Sequence, residues 1–172
     1  QILFLPGALG RTQLWEPVEN LLTCSAHKEH VGWPGFSSIP LDPLVNGFDD
    51  LVKMVLAKID RPTALVAQSM GGAIAVRVAV EKPELITHLV LAATSGGIDV
   101  ASLGGKDWRP TFLDSNPLLP PWFSTYQEDL STKLPTMRIP TLLLWGDSDP
   151  ISPVAVGEHL ASLLPCARLY VV

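Results

Sequence analysis

The sequence predicts an α/β fold: a mostly parallel central sheet with helices on both faces and a small helical insertion. Three observations predict it. Short apolar runs of strand length recur along the 172 residues, clearest at positions 2–5, 64–67, 89–93 and 139–145. Each run closes on a turn rich in glycine, proline or serine, and segments with a helical apolar period lie between them. Buried strands alternating with such helices indicate parallel pairing, because parallel neighbours need a long crossover rather than a tight turn.

Taken in order, Ile2 to Leu5 is the first strand and stops at Pro6-Gly7. Thr12 is placed to cap a short helix carrying Leu14, Trp15, Val18, Leu21 and Leu22, whose spacing puts them on one face. Lys28 to Val31 is a weaker strand, and the Gly-Trp-Pro-Gly sequence at 32–35 with the prolines up to Pro43 predicts a long surface connection. Phe48 to Ile59 has the helical period, Asp49 and Asp50 suit the positive end of its dipole, and Arg61-Pro62 closes it. A strand at Ala64 to Ala67, a helix from Met70 to Val80 stopped by Pro83, and a strand at Leu89 to Ala93 follow. From about Gly96 to Arg138 the character changes. Two Gly-Gly pairs, prolines at 110, 117, 120, 121 and 135, and the aromatics Trp108, Phe112, Trp122 and Phe123 predict a lid-like insertion of short helices. Ile139 to Trp145 resumes the sheet, Val154 to Leu164 is a helix, and Arg168 to Val172 begins another strand.

Composition bounds the function. With 47% hydrophobic and 17% charged residues the chain is expected to fold as a single compact domain over 1–172, with 96–138 inserted in it. A net charge of -5 offers no basic patch for phosphate backbones, which argues against nucleic acid as a partner. Cys24 and Cys166 lie far apart without metal-ligand spacing and are expected as buried free thiols; no metal or cofactor is called for. No apolar run approaches the ~18 to 20 residues of a membrane span. The first five residues lack the basic region of a secretory signal, so a cytoplasmic location is the expectation.

The chemistry centres on Ser69. It follows the strand Ala64 to Ala67 and precedes Met70-Gly71-Gly72, a strand, a sharp turn and a helix. Such a turn crowds the backbone, so small residues are needed two before the serine and two after it, where Ala67 and Gly71 stand. The result is an exposed hydroxyl beside the positive end of a helix. Ser69 is a candidate nucleophile, with helix capping as the other use of a serine there. The glycine-containing turn after the first strand can aim a backbone N–H at the same point, so Ala8 and Met70 are candidate donors to an oxyanion. A serine nucleophile also needs a base and a carboxylate to orient it. Asp147 and Asp149, in the loop after the 139–145 strand, both suit the carboxylate, and turn formation is their other use.

With these residues in view, the chain resembles an α/β-hydrolase of the lidded esterase and haloperoxidase-like branch, from Ile2 to Val172, with Leu-Pro-Gly where Leu-His-Gly is common. The resemblance implies a serine hydrolase that cleaves a carboxylic ester through an acyl-enzyme, without a cofactor. Its acid typically ends a Gly-x-x-Asp motif, here Gly146 to Asp149, which selects Asp149. A serine at position 69 separates the chain from the haloalkane dehalogenase and epoxide hydrolase branches, which carry an aspartate nucleophile. His27, His30, His88 and His159 do not fall where the base belongs, and the resemblance implies a Gly-His turn beyond Val172, with the domain's C-terminal end. The apolar lid implies a small-molecule ester with an apolar acyl part. C–C bond hydrolysis, acyl transfer or a menaquinone-pathway elimination are alternatives on the same fold, and a non-catalytic hydrolase-like binding protein is an alternative of another class.

Overall fold

The computed structural model describes residues 1–117 and 119–172; Leu118 and the side chains of Pro121 and Phe123, apolar groups of the insertion, lie outside the described residues. Six strands form one sheet: β1 (Ile2–Leu5), β2 (Lys28–His30), β3 (Thr63–Gln68), β4 (Ile86–Ala92), β5 (Thr141–Trp145) and β6 (Ala167–Val171). Every pairing is parallel, and the spatial order is β2-β1-β3-β4-β5-β6. The chain therefore steps from β1 outward to β2, then returns across β1 to β3 and builds in the other direction. The gap between the carboxyl ends of β1 and β3 is the topological switch point, where ligands bind in open α/β sheets. Ser69 lies there.

The helices are α1 (Glu16–Glu19), α2 (Phe48–Ala57), α3 (Met70–Glu81), α4 (Arg109–Ser115) and α5 (Val154–Leu163). Alternation along the strands sends Leu3, Leu5, Leu65, Leu89, Leu91 and Leu143 into the main core with α2, α3 and α5, while Phe4 and Val66 point to the opposite face. Trp15 covers that second face, its ring centroid 6.4 Å from that of Phe4 and its Nε1 donating to the Leu5 carbonyl at 3.1 Å. Asp49 and Asp50 occupy the first turn of α2 as expected, and α3 ends at Glu81, ahead of Pro83. The insertion contains α4 and three short 3-10 turns and no strand among the described residues.

Three expectations are corrected. Thr12 does not cap a continuous helix: residues 12–15 form a 3-10 turn before the four-residue α1, and the two periods do not share a face. Leu14, Val18 and Leu21 are consequently exposed, and Trp15 is the buried residue of the two turns. The connection after β2 is not merely superficial, since Trp33 and Phe36 in it are fully buried. Cys24 and Cys166 are free but exposed, because both fall in connections between elements rather than on a core-facing position.

Candidate active site

β3 delivers Ser69 in a conformation that L-residues seldom adopt, φ 52° and ψ −120°. The turn is held from both sides. Ser69 N–H donates to the Ala92 carbonyl at 3.0 Å, and Thr94 Oγ1 donates to the Ser69 carbonyl at 2.6 Å. The hydroxyl does not cap α3, so the capping use of this serine is not the one adopted. Gly71 explains why the turn can close: a Cβ there would lie 2.5 Å from the Pro6 carbonyl oxygen and 2.7 Å from that of Leu5. Those are backbone atoms of the β1 loop. Only a residue without a side chain lets the start of α3 approach that loop so closely.

The β1 loop is fixed in turn. Gly10 N–H donates to the Gly7 carbonyl at 3.0 Å, closing the turn with Gly10 at φ +63°, and a Cβ at Gly10 would meet Phe36 Cβ at 2.6 Å. Trp33 Nε1 donates to the carbonyls of Pro6 and Gly7 at 3.1 and 3.2 Å. Those bonds hold the carbonyl side of the loop in place. The amides of Ala8 and Met70 make no hydrogen bond among the described residues, and both residues line the same cavity as Ser69. Trp33→Phe keeps an aromatic ring, leaves some of the space of the larger, fully buried indole unfilled, and deprives the carbonyls of Pro6 and Gly7 of this donor. It is expected to cost about 1–3 kcal/mol, measured by chemical denaturation.

The cavity has a volume of about 1050 Å³ and is mainly apolar. Its floor carries Ser69, Met70 and Ala8, and the insertion supplies Ile98, Trp108 and Phe112 among its walls. Tyr126 and Glu128 close another side. The Tyr126 hydroxyl donates to Glu128, whose carboxylate also pairs with the Arg77 guanidinium of α3, and Arg77 Nε donates to Glu81 at 2.6 Å. Burial first, and then the bond to Glu128, push the Tyr126 phenol well above the ordinary tyrosine range. The stability that this protonated phenol contributes is complete below the ordinary tyrosine pKa of about 10 and declines as pH rises from there toward the raised value. Alkaline denaturation is expected to steepen above pH about 10, and Tyr126→Phe to remove that part of the slope.

The two aspartates of the acid loop do not line the cavity. Asp149 Oδ1 accepts from the amides of Ile151 and Ser152 at 2.8 and 3.0 Å, a turn-forming use that leaves Oδ2 without a partner among the described residues. Ile151 and Ser152 themselves reach the cavity, and Trp145 Nε1 holds Ser152 by its carbonyl at 2.8 Å. Asp147 is exposed; its Oδ1 accepts from Ser148 Oγ at 2.8 Å, and its amide donates to the Val172 carbonyl at 2.9 Å. None of the four histidines lines the cavity. His27, His88 and His159 are exposed, and His30 sits between the Thr12 carbonyl and Glu19, stacked on Phe4. The structure thus brings Ser69, Met70 and Ala8 together and sets Asp149 apart. Thr94 and Trp33, which hold the two turns, were not singled out in the sequence. A threonine just past a strand end, in Thr94-Ser95-Gly96-Gly97, was the one available hint of Thr94.

A serine projected from a strained strand-to-helix turn at the switch point of a parallel sheet defines an α/β-hydrolase architecture. The chain belongs to the alpha/beta hydrolase family, whose model matches residues 2–172. It is similar to the uncharacterized hydrolase YugF of Bacillus subtilis, 25% identical over 72% of this chain and 63% of that protein, so it spans less than two thirds of that relative's length. It is 24% identical to a 2-hydroxy-6-oxononadienedioate/2-hydroxy-6-oxononatrienedioate hydrolase of a Pseudomonas species, over 96% of this chain and 76% of that one. A thermophilic esterase from Thermogutta terrifontis shares the fold with a TM-score of 0.77 at 19% identity, over 99% of this chain and 80% of its own. Among the described residues no helix is long and apolar enough to cross a membrane.

Proposed function

We propose that the protein is a serine esterase that hydrolyses a carboxylic ester with an apolar acyl part through an acyl-enzyme intermediate. Ser69 Oγ attacks the carbonyl carbon, and the amides of Ala8 and Met70 hold the oxygen as it becomes negative. A histidine takes the serine proton and passes it to the departing alcohol; water then repeats the sequence on the acyl-enzyme. Asp149 orients that histidine through its uncommitted Oδ2. Because His27, His30, His88 and His159 all stand away from the cavity, this reading places the histidine beyond Val172, beside the acid loop that the Val172 carbonyl already touches.

One observation carries the reading: Ser69 is held at positive φ with a hydroxyl that neither caps α3 nor bonds elsewhere among the described residues. Strain of this kind costs on the order of 1–3 kcal/mol and persists where the surroundings over-determine it. The cavity is of the size that encloses a small organic ligand. The test uses the full-length protein and a set of esters that share one acyl group and differ in alcohol, with methanol added as a competing nucleophile. A common acyl-enzyme gives the same ratio of acid to methyl ester for every member of the set. A ratio that follows the leaving alcohol, or no ester cleavage at all, overturns the proposal.

A further inference from the structure

Beside the main cavity lies an outer pocket of about 330 Å³, and Phe48, Tyr126, Gln127 and Glu128 belong to the walls of both. These residues are the partition between the two spaces. Its centre is an aromatic pair. Tyr126 from the insertion stacks on Phe48 from the start of α2, with ring centroids 3.5 Å apart and planes 13° from parallel. Phe48 is buried at 5% exposure and anchored in the main core. Tyr126 is anchored from the other direction by Glu128 and, through it, by Arg77 on α3, whose guanidinium also lies 3.7 Å from Asp49.

The two sides of the partition differ in character. The main cavity presents chiefly apolar groups, such as Ile98 and Val100, whereas the outer pocket adds the charged Asp49 and Arg77, with Trp122 and Thr125, to the shared Glu128. An apolar chain gains by extending to the partition and gains nothing by pressing beyond it.

We propose that the Tyr126–Phe48 stack is the end stop of the acyl site, so that Tyr126 is the residue that sets the longest acyl chain the protein accommodates. This rests on the esterase reading and narrows its substrates to esters whose acyl chain stays within a defined length. Below that length each methylene buried against the cavity wall strengthens binding by about fourfold. At the stop the gain ends abruptly. Within the stack the ring is the obstacle, and the hydroxyl only holds the ring in place.

The test measures the affinity of the full-length protein for straight-chain carboxylates from butanoate to dodecanoate by calorimetry, which needs no turnover, and repeats the series as kcat/KM for the corresponding methyl esters. For the unaltered protein both series are expected to climb by about fourfold per methylene and then break. In Tyr126→Ala the break at that length disappears, and acids just beyond it, which enter the space the ring vacates, bind more tightly than the acid at the original break. In Tyr126→Phe, which keeps the ring, the break stays at the same length. Unchanged near- and far-ultraviolet circular dichroism of both variants separates the effect from misfolding. A break that persists in Tyr126→Ala, or a binding series with no break in the unaltered protein, overturns the end stop. Normal binding with no ester turnover counts against the esterase reading alone.

Discussion

Ser69→Ala is expected to lower ester hydrolysis by about a millionfold, the loss typical when the nucleophile of a Ser-His-Asp constellation is removed, while leaving the fold intact. The reason lies in what the hydroxyl does not do. It makes no cap to α3, so its removal frees no helical amide and opens no cavity of consequence. Ser69→Gly separates the two roles more sharply. Glycine adopts φ 52° without strain, and relief of that strain outweighs the added freedom of the unfolded chain. Stability should rise by about 1 kcal/mol, or roughly 2–4 °C in Tm for a chain of this size. A variant that is more stable and inactive is the signature of a serine kept for chemistry at a cost to the fold.

Gly71→Val is expected to destabilise the chain by about 3 kcal/mol, lowering Tm by roughly 6–12 °C, and to lower turnover as well. The atoms that a Cβ would strike are the carbonyl groups of Leu5 and Pro6, 2.5 to 2.9 Å away, and backbone cannot turn aside as a flexible side chain can. Relief requires the β1 loop to move from the start of α3. On the proposed mechanism that movement separates the Ala8 amide from the Met70 amide, and loss of one oxyanion donor costs about 10²–10³ in kcat. Gly47→Ala is the control, since nothing lies within 4 Å of the Cβ it would add. Its Tm is expected to stay within about 2 °C of the parent, the range of an inconsequential surface change.

What the sequence disclosed divides along physical lines. The sheet was legible because four of its six strands are apolar runs with turn residues at their ends, and a strand buried on both faces has little freedom to be anything else. The turn at Ser69 was legible because steric crowding leaves a local mark: Ala67 and Gly71 are small where a parallel strand enters a helix. The β1 turn at Pro6-Gly7 left a similar mark. Features made by contact between distant segments left none. Trp33 reads as part of a glycine- and proline-rich connection, yet it is buried under the β1 loop and bonds to the carbonyls of Pro6 and Gly7. The partition between cavity and outer pocket joins Phe48 to Tyr126, residues far apart in sequence. Cys24 and Cys166 show the limit of composition, because a residue type that is usually buried is exposed when it falls in a connection. The helix over 12–22 failed for a different reason. Its period was read correctly as three and four, but a 3-10 turn followed by a single α-helical turn is too short to keep one face.

The acid loop occupies an intermediate position. Gly146 to Asp149 is visible as a loop after β5, and the structure distinguishes its two aspartates by their commitments. Asp147 is exposed and tied to Ser148, whereas Asp149 is partly buried with one carboxylate oxygen fixed by two amides. A carboxylate held that firmly at one oxygen has the other in a defined direction, which is what orienting a base demands.

An activated nucleophile at Ser69 is open to covalent labelling. The full-length protein is treated with a fluorophosphonate, digested, and mapped by mass spectrometry, beside Ser69→Ala and a heat-denatured sample. The expected result is a single phosphonylated serine, Ser69, with release of fluoride in equal amount, and no adduct in either control. Absence of an adduct on the folded protein, or an adduct on another serine that survives Ser69→Ala, would contradict it.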